Sequence, residues 1–202
     1  MQLLPHLNSI ISAVDEVHRR VGHAGGCFDL RAALGHLPGF LVDVVDWLPA
    51  GTRGAMTRRD GCFAIAVSRA LPRVARRFTV AHEIGHALLH HGHLGRCRVS
   101  PRAEPLVERQ ASFFAAELLA PLWAVERALP AEWRARPLPS RLPAALVAEV
   151  ASAVDVSRTV ARIQLEALGA VQRTQAGRAE GCAASERRHP ENARDERFNR
   201  GS

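Results

Sequence analysis

Residues 82–86 read His-Glu-Ile-Gly-His, and this run restricts the structure of the chain more than any other feature. On a helix, His82 and His86 are one turn apart on the same face, so both imidazoles can reach one divalent metal ion. Glu83 lies about 100° further round that helix, where it can contact a water on the metal without becoming a ligand. The flanking residues are mostly apolar, which predicts a buried helix. Two imidazoles and a carboxylate buried without partners would each cost about 1–3 kcal/mol, and a bound metal removes that cost.

Composition indicates a globular chain with an arginine-rich surface. The 202 residues, 47% of them hydrophobic, suffice for one domain or one domain with a small appendage. The net charge of +7 comes from arginine, since the chain has no lysine, and it also lacks tyrosine. The arginines are scattered, which favours a solvated surface and makes direct DNA binding unlikely. A patch for nucleic acid or an acidic partner stays open as the alternative.

The cysteines and the N-terminus predict a cytoplasmic protein with free thiols. Cys27, Cys62, Cys97 and Cys182 show no Cys-x-x-Cys spacing, and we find neither a signal peptide nor an apolar run of membrane-spanning length. Cys97 follows the histidines closely enough to be a metal neighbour, although a plain small residue is the simpler interpretation.

Hydrophobic periodicity predicts an α+β fold with a small antiparallel three-stranded sheet placed before the metal helix. The predicted order is a helix over residues 3–21, a short helix near 29–34 capped by Asp29, strands at 40–47, 53–57 and 61–67, and helices at 73–91, 105–119, 121–129, 143–153 and 157–168. We expect Gly169 to end the last helix and a disordered charged tail from 171 to 202. Residues 1–130 would form the main domain and 131–170 a small helical segment.

A catalytic zinc site needs a third protein ligand, and Glu108 is the best candidate. Position 92, six residues after the second histidine, is glycine, and His93 is one residue off that position. His90 would require the helix to curl round the metal, so we expect it beside the site or at the surface. On the next helix Glu108 shares a face with small residues that permit close approach, whereas Glu117 points to the solvent edge. Glu104, just before Pro105, stays open as the alternative.

Two stretches of the chain resemble the ImmA/IrrE family of bacterial and phage metallopeptidases. One runs from Arg76-Arg77-Phe78-Thr79 through the histidine motif to His90, and the other from Glu108 to Pro121. The resemblance places Glu108 as third ligand and implies a zincin-like, gluzincin-type core, with a small helix-turn-helix-like segment after it. Ser112 stands where the family has asparagine and Ala120 where it has methionine. Serine can still orient a ligand by a hydrogen bond, but it reaches less far.

The resemblance also implies an activity and a substrate. We hypothesise zinc-dependent peptide hydrolysis, with Mn²⁺ or Fe²⁺ as other possible ions and Glu83 as the proton acceptor. The implied substrate is a helix-turn-helix repressor of stress-response, prophage or mobile-element genes. Without tyrosine, an arginine or His90 would stabilise the oxyanion, unless the metal acts alone. The alternative is a non-catalytic antirepressor, stabilised by metal, that sequesters its regulator.

Overall fold

The computed structural model describes residues 7–90 and 105–186, with side chains described as far as residue 175. Over these ranges the chain forms helices and strands in the following order: α1 Leu7–Arg20, α2 Leu30–Gly35, β1 Phe40–Val45, β2 Gly54–Arg59, β3 Cys62–Ser68, α3 Arg73–His90, α4 Pro105–Leu119, α5 Leu122–Arg127, α6 Ala131–Arg134, α7 Ala144–Ala153 and α8 Arg158–Glu186. This order confirms the predicted α+β class and a three-stranded sheet.

The sheet is mixed, so the prediction of a purely antiparallel sheet is wrong. Its strand order is β1-β3-β2, with β2 antiparallel to β3 and β1 parallel to β3. The β2–β3 hairpin turns at Asp60 and Gly61, both at positive φ, as a two-residue hairpin loop prefers. β2 pairs with one edge of β3, and β1 pairs with the other edge. Residues 46–53 therefore connect the two outer strands of the sheet. In the predicted and in the observed sheet alike, strands that follow one another in the sequence run in opposite directions.

The core lies where α3 packs against the sheet on one side and against α4 on the other. Met56, Ile65 and Val67 of the sheet are each 1% exposed and form the surface that meets α3. On the α4 side, Gly85 lets the two helices approach closely, since a Cβ there would lie 3.0 Å from Phe114 Cδ1 and 3.2 Å from Ala111 O. The close approach that the sequence predicts is therefore present, and Gly85 of α3 permits it.

The turn between α7 and α8 is fixed to the start of α3 by ion pairs. Asp155, in the left-handed region at φ 55°, accepts hydrogen bonds from the guanidinium groups of both Arg73 and Arg77. Arg77 also donates to the carbonyl oxygen of Phe28. These contacts join three regions that are far apart in sequence.

Two details of the helical region differ from expectation. Glu117 is half-buried rather than at the solvent edge, because its Oε1 accepts a hydrogen bond of 2.8 Å from Gln164 of α8. The predicted helix end at Gly169 is also wrong, and so is disorder from residue 171, since α8 continues to Glu186. Gly169 is buried against Leu138, and the following residues are mostly good helix formers. Residues 187–202 of the predicted tail lie outside the described residues.

Other predictions concern thiols and membranes. Cys27 and Cys62 are free thiols, as predicted, whereas Cys97 lies outside the described residues. Within the described ranges, no helix is both long and apolar enough to cross a lipid bilayer.

Replacing Gly85 with alanine is expected to destabilise the protein by about 1–3 kcal/mol, since the new methyl group would overpack the α3–α4 contact. Urea denaturation measures this change. Gly35→Ala is the matched control: Gly35 is also helical, but a Cβ there meets nothing within 4 Å. The control should gain up to about 1 kcal/mol from helix propensity. Equal stabilisation of both variants would contradict the close approach.

Acid is expected to destabilise the fold through His18, which is 6% exposed and donates from Nε2 to Leu118 O at 2.9 Å. Burial lowers the pKa of His18, although the bond to Leu118 and the charge of Asp15 oppose that shift. The unfolded state then binds a proton before the folded state does, so stability falls as the pH drops below about 6.5.

The glutamine variant of His18 cannot protonate, so its free energy of unfolding should fall less than that of the wild type between pH 7.5 and pH 5. Denaturant titrations at several pH values measure the difference. His36→Gln, at an exposed histidine, is the control and should keep the acid sensitivity of the wild type. If the free energy of unfolding depends on pH equally steeply in the His18 variant and in the wild type, then His18 is not a source of the acid sensitivity.

Candidate metal centre

The middle of α3 presents two imidazoles to one point. His82 and His86 are one helical turn apart, with their Nε2 atoms 3.0 Å from each other and their rings nearly perpendicular. The neighbouring Ala81 and Ile84 are fully buried, so this part of α3 lies in the core. The structure thus places both predicted histidines on the same side of α3.

Glu108, in the first turn of α4, completes the group. Its Oε2 lies 3.2 Å from His82 Nε2 and its Oε1 lies 3.4 Å from His86 Nε2. One possible ligand atom from each of His82, His86 and Glu108 lies within 4.8 Å of the other two. Glu117 is directed to α8 instead. Glu104 and His93, which the sequence also offered, lie outside the described residues.

The three side chains fit a divalent cation. Burial lowers the pKa of His82, and burial together with the nearby His82 lowers the pKa of His86 to about 4. Both imidazoles are therefore neutral near pH 7 and offer nitrogen lone pairs. Donor atoms 3.0–3.4 Å apart have the spacing expected of ligands that each lie about 2.0–2.2 Å from a shared Zn²⁺. Two histidines and one glutamate are also the protein ligands of one common type of catalytic zinc site.

Ser112 contacts the far side of one imidazole. Its Oγ lies 3.3 Å from His82 Nδ1, within hydrogen-bonding distance. In the tautomer that leaves the His82 Nε2 lone pair free, Nδ1–H donates to this hydroxyl oxygen. The serine can thus orient the imidazole, as the sequence predicts for this position.

Glu83 lies beside the cluster and is 2% exposed. Among the described residues its Oε2 has no hydrogen-bond partner. Burial, reinforced by the negative charge of Glu108, raises the pKa of Glu83 to about 7. A carboxyl group with this pKa can both accept and release a proton near neutral pH.

A cleft of about 540 Å³ opens onto the cluster, and one of its walls was not predicted from the sequence. Residues 50–54 form that wall, opposite side chains of α3 and α4. At Gly54 the strand comes so close to α3 that a Cβ would lie 2.5 Å from Thr79 Cγ2 and 3.4 Å from Glu83 Oε1. The sequence predicted a strand at 53–57 but not its approach to α3. The signal for this wall in the sequence was a glycine at the start of a strand, because such a glycine often marks a place where another part of the structure comes close.

Arg53 is the arginine that lines the cleft, whereas His90 is not among the lining residues. The His90 ring centroid lies 6.0 Å from that of His86, one turn further along α3. The sequence suggested that an arginine or His90 stabilises the oxyanion, and of these two the described cleft contains the arginine.

Comparisons with known proteins agree with this architecture. A solved structure of a Mycobacterium tuberculosis transcriptional regulator aligns with 77% of this chain at a TM-score of 0.51 and 17% sequence identity. At that identity the likeness shows a shared fold alone, and the aligned part spans 45% of the regulator's length. No curated protein sequence matches the chain.

A family model, the IrrE N-terminal-like domain of Peptidase_M78, matches residues 58–166. That range contains α3 and α4, and hence every side chain of the cluster. Because the match extends over more than half of the sequence, the chain belongs to this family, the ImmA/IrrE peptidases.

Proposed function

We propose that this protein is a metal-dependent endopeptidase in which His82, His86 and Glu108 hold a zinc ion and Glu83 transfers protons. One observation supports the proposal above all others: three donor atoms from two packed helices converge beside a buried carboxylate. We further propose that residues 1–130 form a zincin-like peptidase domain and residues 131–170 a helix-turn-helix-like segment.

Zn²⁺ bound at this site would supply Lewis acidity, which makes a water molecule more acidic and polarises the carbonyl of the peptide bond. The protein supplies the proton transfers. Glu83 Oε2 lacks a partner among the described residues, so it can accept the proton of the attacking water. It then returns that proton to the nitrogen of the departing amine. The pKa of Glu83, about 7, suits both transfers.

The cleft wall can hold the substrate backbone. Within the described sheet, β2 is an edge strand that pairs with β3 alone, and its first residue, Gly54, lines the cleft. An extended peptide can add to such an edge through main-chain hydrogen bonds. Arg53 is exposed on the same wall and has no carboxylate within 4.0 Å among the described residues. We assign it the role of stabilising negative charge on the substrate carbonyl.

The proposed substrate is a helix-turn-helix transcriptional repressor, whose cleavage would relieve repression of stress-response, prophage or mobile-element genes. Family membership supports this class of substrate. The structurally similar mycobacterial protein is itself described as a transcriptional regulator, which is consistent with a regulatory role. Direct DNA binding is not proposed, because Val160, Ala161 and Leu165 of α8 are buried in the core.

One zinc ion per chain is expected from elemental analysis of the purified protein. Glu108→Ala should weaken zinc affinity by roughly 100-fold or more, since residues that merely orient a ligand already contribute 10–100-fold. Competition with a chromophoric chelator measures the affinity. Glu149→Ala, which removes an exposed carboxylate from α7, is the control and should bind zinc as the wild type does. Unchanged affinity in the Glu108 variant would exclude this carboxylate as a ligand.

Glu83→Gln is expected to keep zinc binding within about twofold and to lower the cleavage rate by about 10²–10⁴-fold, because it removes the proton acceptor. The measurement is cleavage of the helix-turn-helix regulator encoded nearest to this gene, followed by gel electrophoresis and mass spectrometry. Glu149→Gln should cleave normally. If the Glu83 variant cleaves at the full rate, this mechanism is excluded. If it relieves repression without cleavage, the protein is a sequestering antirepressor instead.

A further inference from the structure

A second cavity, of about 870 Å³, lies against the beginning of α3 and shares no lining residue with the metal cleft. Its apolar lining includes Phe28 before α2, Leu34 of α2, Val42 and Val44 of β1, Val67 of β3 and Val80 of α3. Its volume falls within the range of about 300–1,000 Å³ that is common for small-molecule sites. The cavity is therefore large enough for a ligand with a sizeable apolar body.

The polar part of this lining is cationic. Four arginines and two aspartates contribute, which gives the lining a net charge of +2: Arg31, Arg73, Arg76, Arg77, Asp29 and Asp155. Both carboxylates already have partners within the protein. Asp155 binds the guanidinium groups of two of the arginines, and Asp29 accepts a hydrogen bond from the backbone N–H of Ala32. Arg73 and Arg77 share the single negative charge of Asp155, and Asp29 keeps its own charge, so the lining as a whole has two positive charges in excess.

Arg76 is half-buried, and its charge has no anionic partner in the part of the chain that the structure describes. Its Nη1 donates to two carbonyl oxygens, those of Arg69 and Leu71, each at 3.0 Å. The other guanidinium nitrogens stay available for a ligand. No carboxylate of the described residues balances the positive charge. Arg31 is exposed and forms no ion pair with the described residues. The guanidinium of Arg76, without a carboxylate partner among the described residues, can therefore pair with the anionic group of a ligand.

We propose that this cavity binds a small amphipathic carboxylic acid. The carboxylate pairs with Arg76, Arg31 adds positive charge at the rim, and the apolar body contacts Leu34, Val42 and Val44. The excess positive charge of the lining favours an acidic group, and the apolar side chains favour a hydrophobic body next to that group. The inference does not depend on the proposed peptidase activity, because the two cavities are lined by different residues.

Cys27 allows the proposal to be tested directly, because this exposed free thiol lies in the cavity lining. Decanoate, used below its micellar concentration, is the probe. It should slow alkylation of Cys27 in a saturable manner and raise the melting temperature. Cys62 lies outside this cavity and serves as the internal reference, since its alkylation rate should not change. Peptide mass spectrometry distinguishes the two cysteines.

Ligand charge provides the second comparison. Decylamine should neither protect Cys27 nor raise the melting temperature, and 1-decanol should bind about tenfold or more weakly than decanoate, because it lacks the charge that pairs with arginine. If decanol binds as tightly as decanoate, or if decanoate protects Cys62 as much as Cys27, the proposal is wrong.

Variants locate the site. Val44→Trp, at a residue 40% exposed at the cavity, should fill the space and abolish protection of Cys27. Arg76→Gln keeps a donor for the carbonyls but removes the charge, and should weaken decanoate binding by about tenfold or more. Arg31→Glu tests the rim in case the Arg76 variant misfolds, and Arg162→Glu on the exposed face of α8 is its charge-matched control. Normal decanoate binding by Val44→Trp, or equal loss in the Arg31 and Arg162 variants, would overturn the proposal.

Discussion

The close packing of α3 against α4 is the contact on which the candidate metal centre depends. Gly85 lies between His82 and His86 in sequence, and a Cβ at this position would lie only 3.0 Å from Phe114 Cδ1 of α4. If a side chain separated the helices there, Glu108 would move away from both imidazoles, because it belongs to the same rigid α4 as Ala111 and Phe114. The geometry of the cluster is therefore a consequence of helix packing. It requires small residues where the helices cross.

Burial at the cluster opposes folding of the chain alone. Glu83 and His86 are almost fully buried, and each has a side-chain polar atom without a hydrogen-bond partner among the described residues. Such atoms cost about 1–3 kcal/mol each. Functional sites often carry this kind of cost, since the same low-dielectric environment strengthens their electrostatic interactions. The positive charge of a cation between the three donors would attract the buried carboxylate of Glu83 and offset part of that cost, so metal binding and stability are expected to be linked.

Local patterns in the sequence predicted most helices and the positions of the strands. The bounds of α4 and the Asp29 cap of α2 were predicted correctly, because periodicity and capping depend on residues that are near in sequence. Glu108 was singled out by helical face and by family resemblance, and the structure brings it to the histidines. The partner of β1, the burial of Glu117 and the cleft wall at residues 50–54 were not predicted. Each depends on a distant element, and no local pattern encodes that choice.

The arginines at the beginning of α3 require a tertiary explanation. The N-terminus of a helix carries partial positive charge, so cations in its first turns are unfavourable by about 0.3–1 kcal/mol each. Arg73, Arg76 and Arg77 all lie there, and this part of α3 contains no acidic residue. Asp155 pairs with two of them and compensates one of the two positive charges, and the pairing offsets the left-handed backbone that this aspartate adopts. Among the described residues Arg76 has no carboxylate partner, so the basic start of α3 attaches the α7–α8 turn and keeps positive charge that can attract an anion.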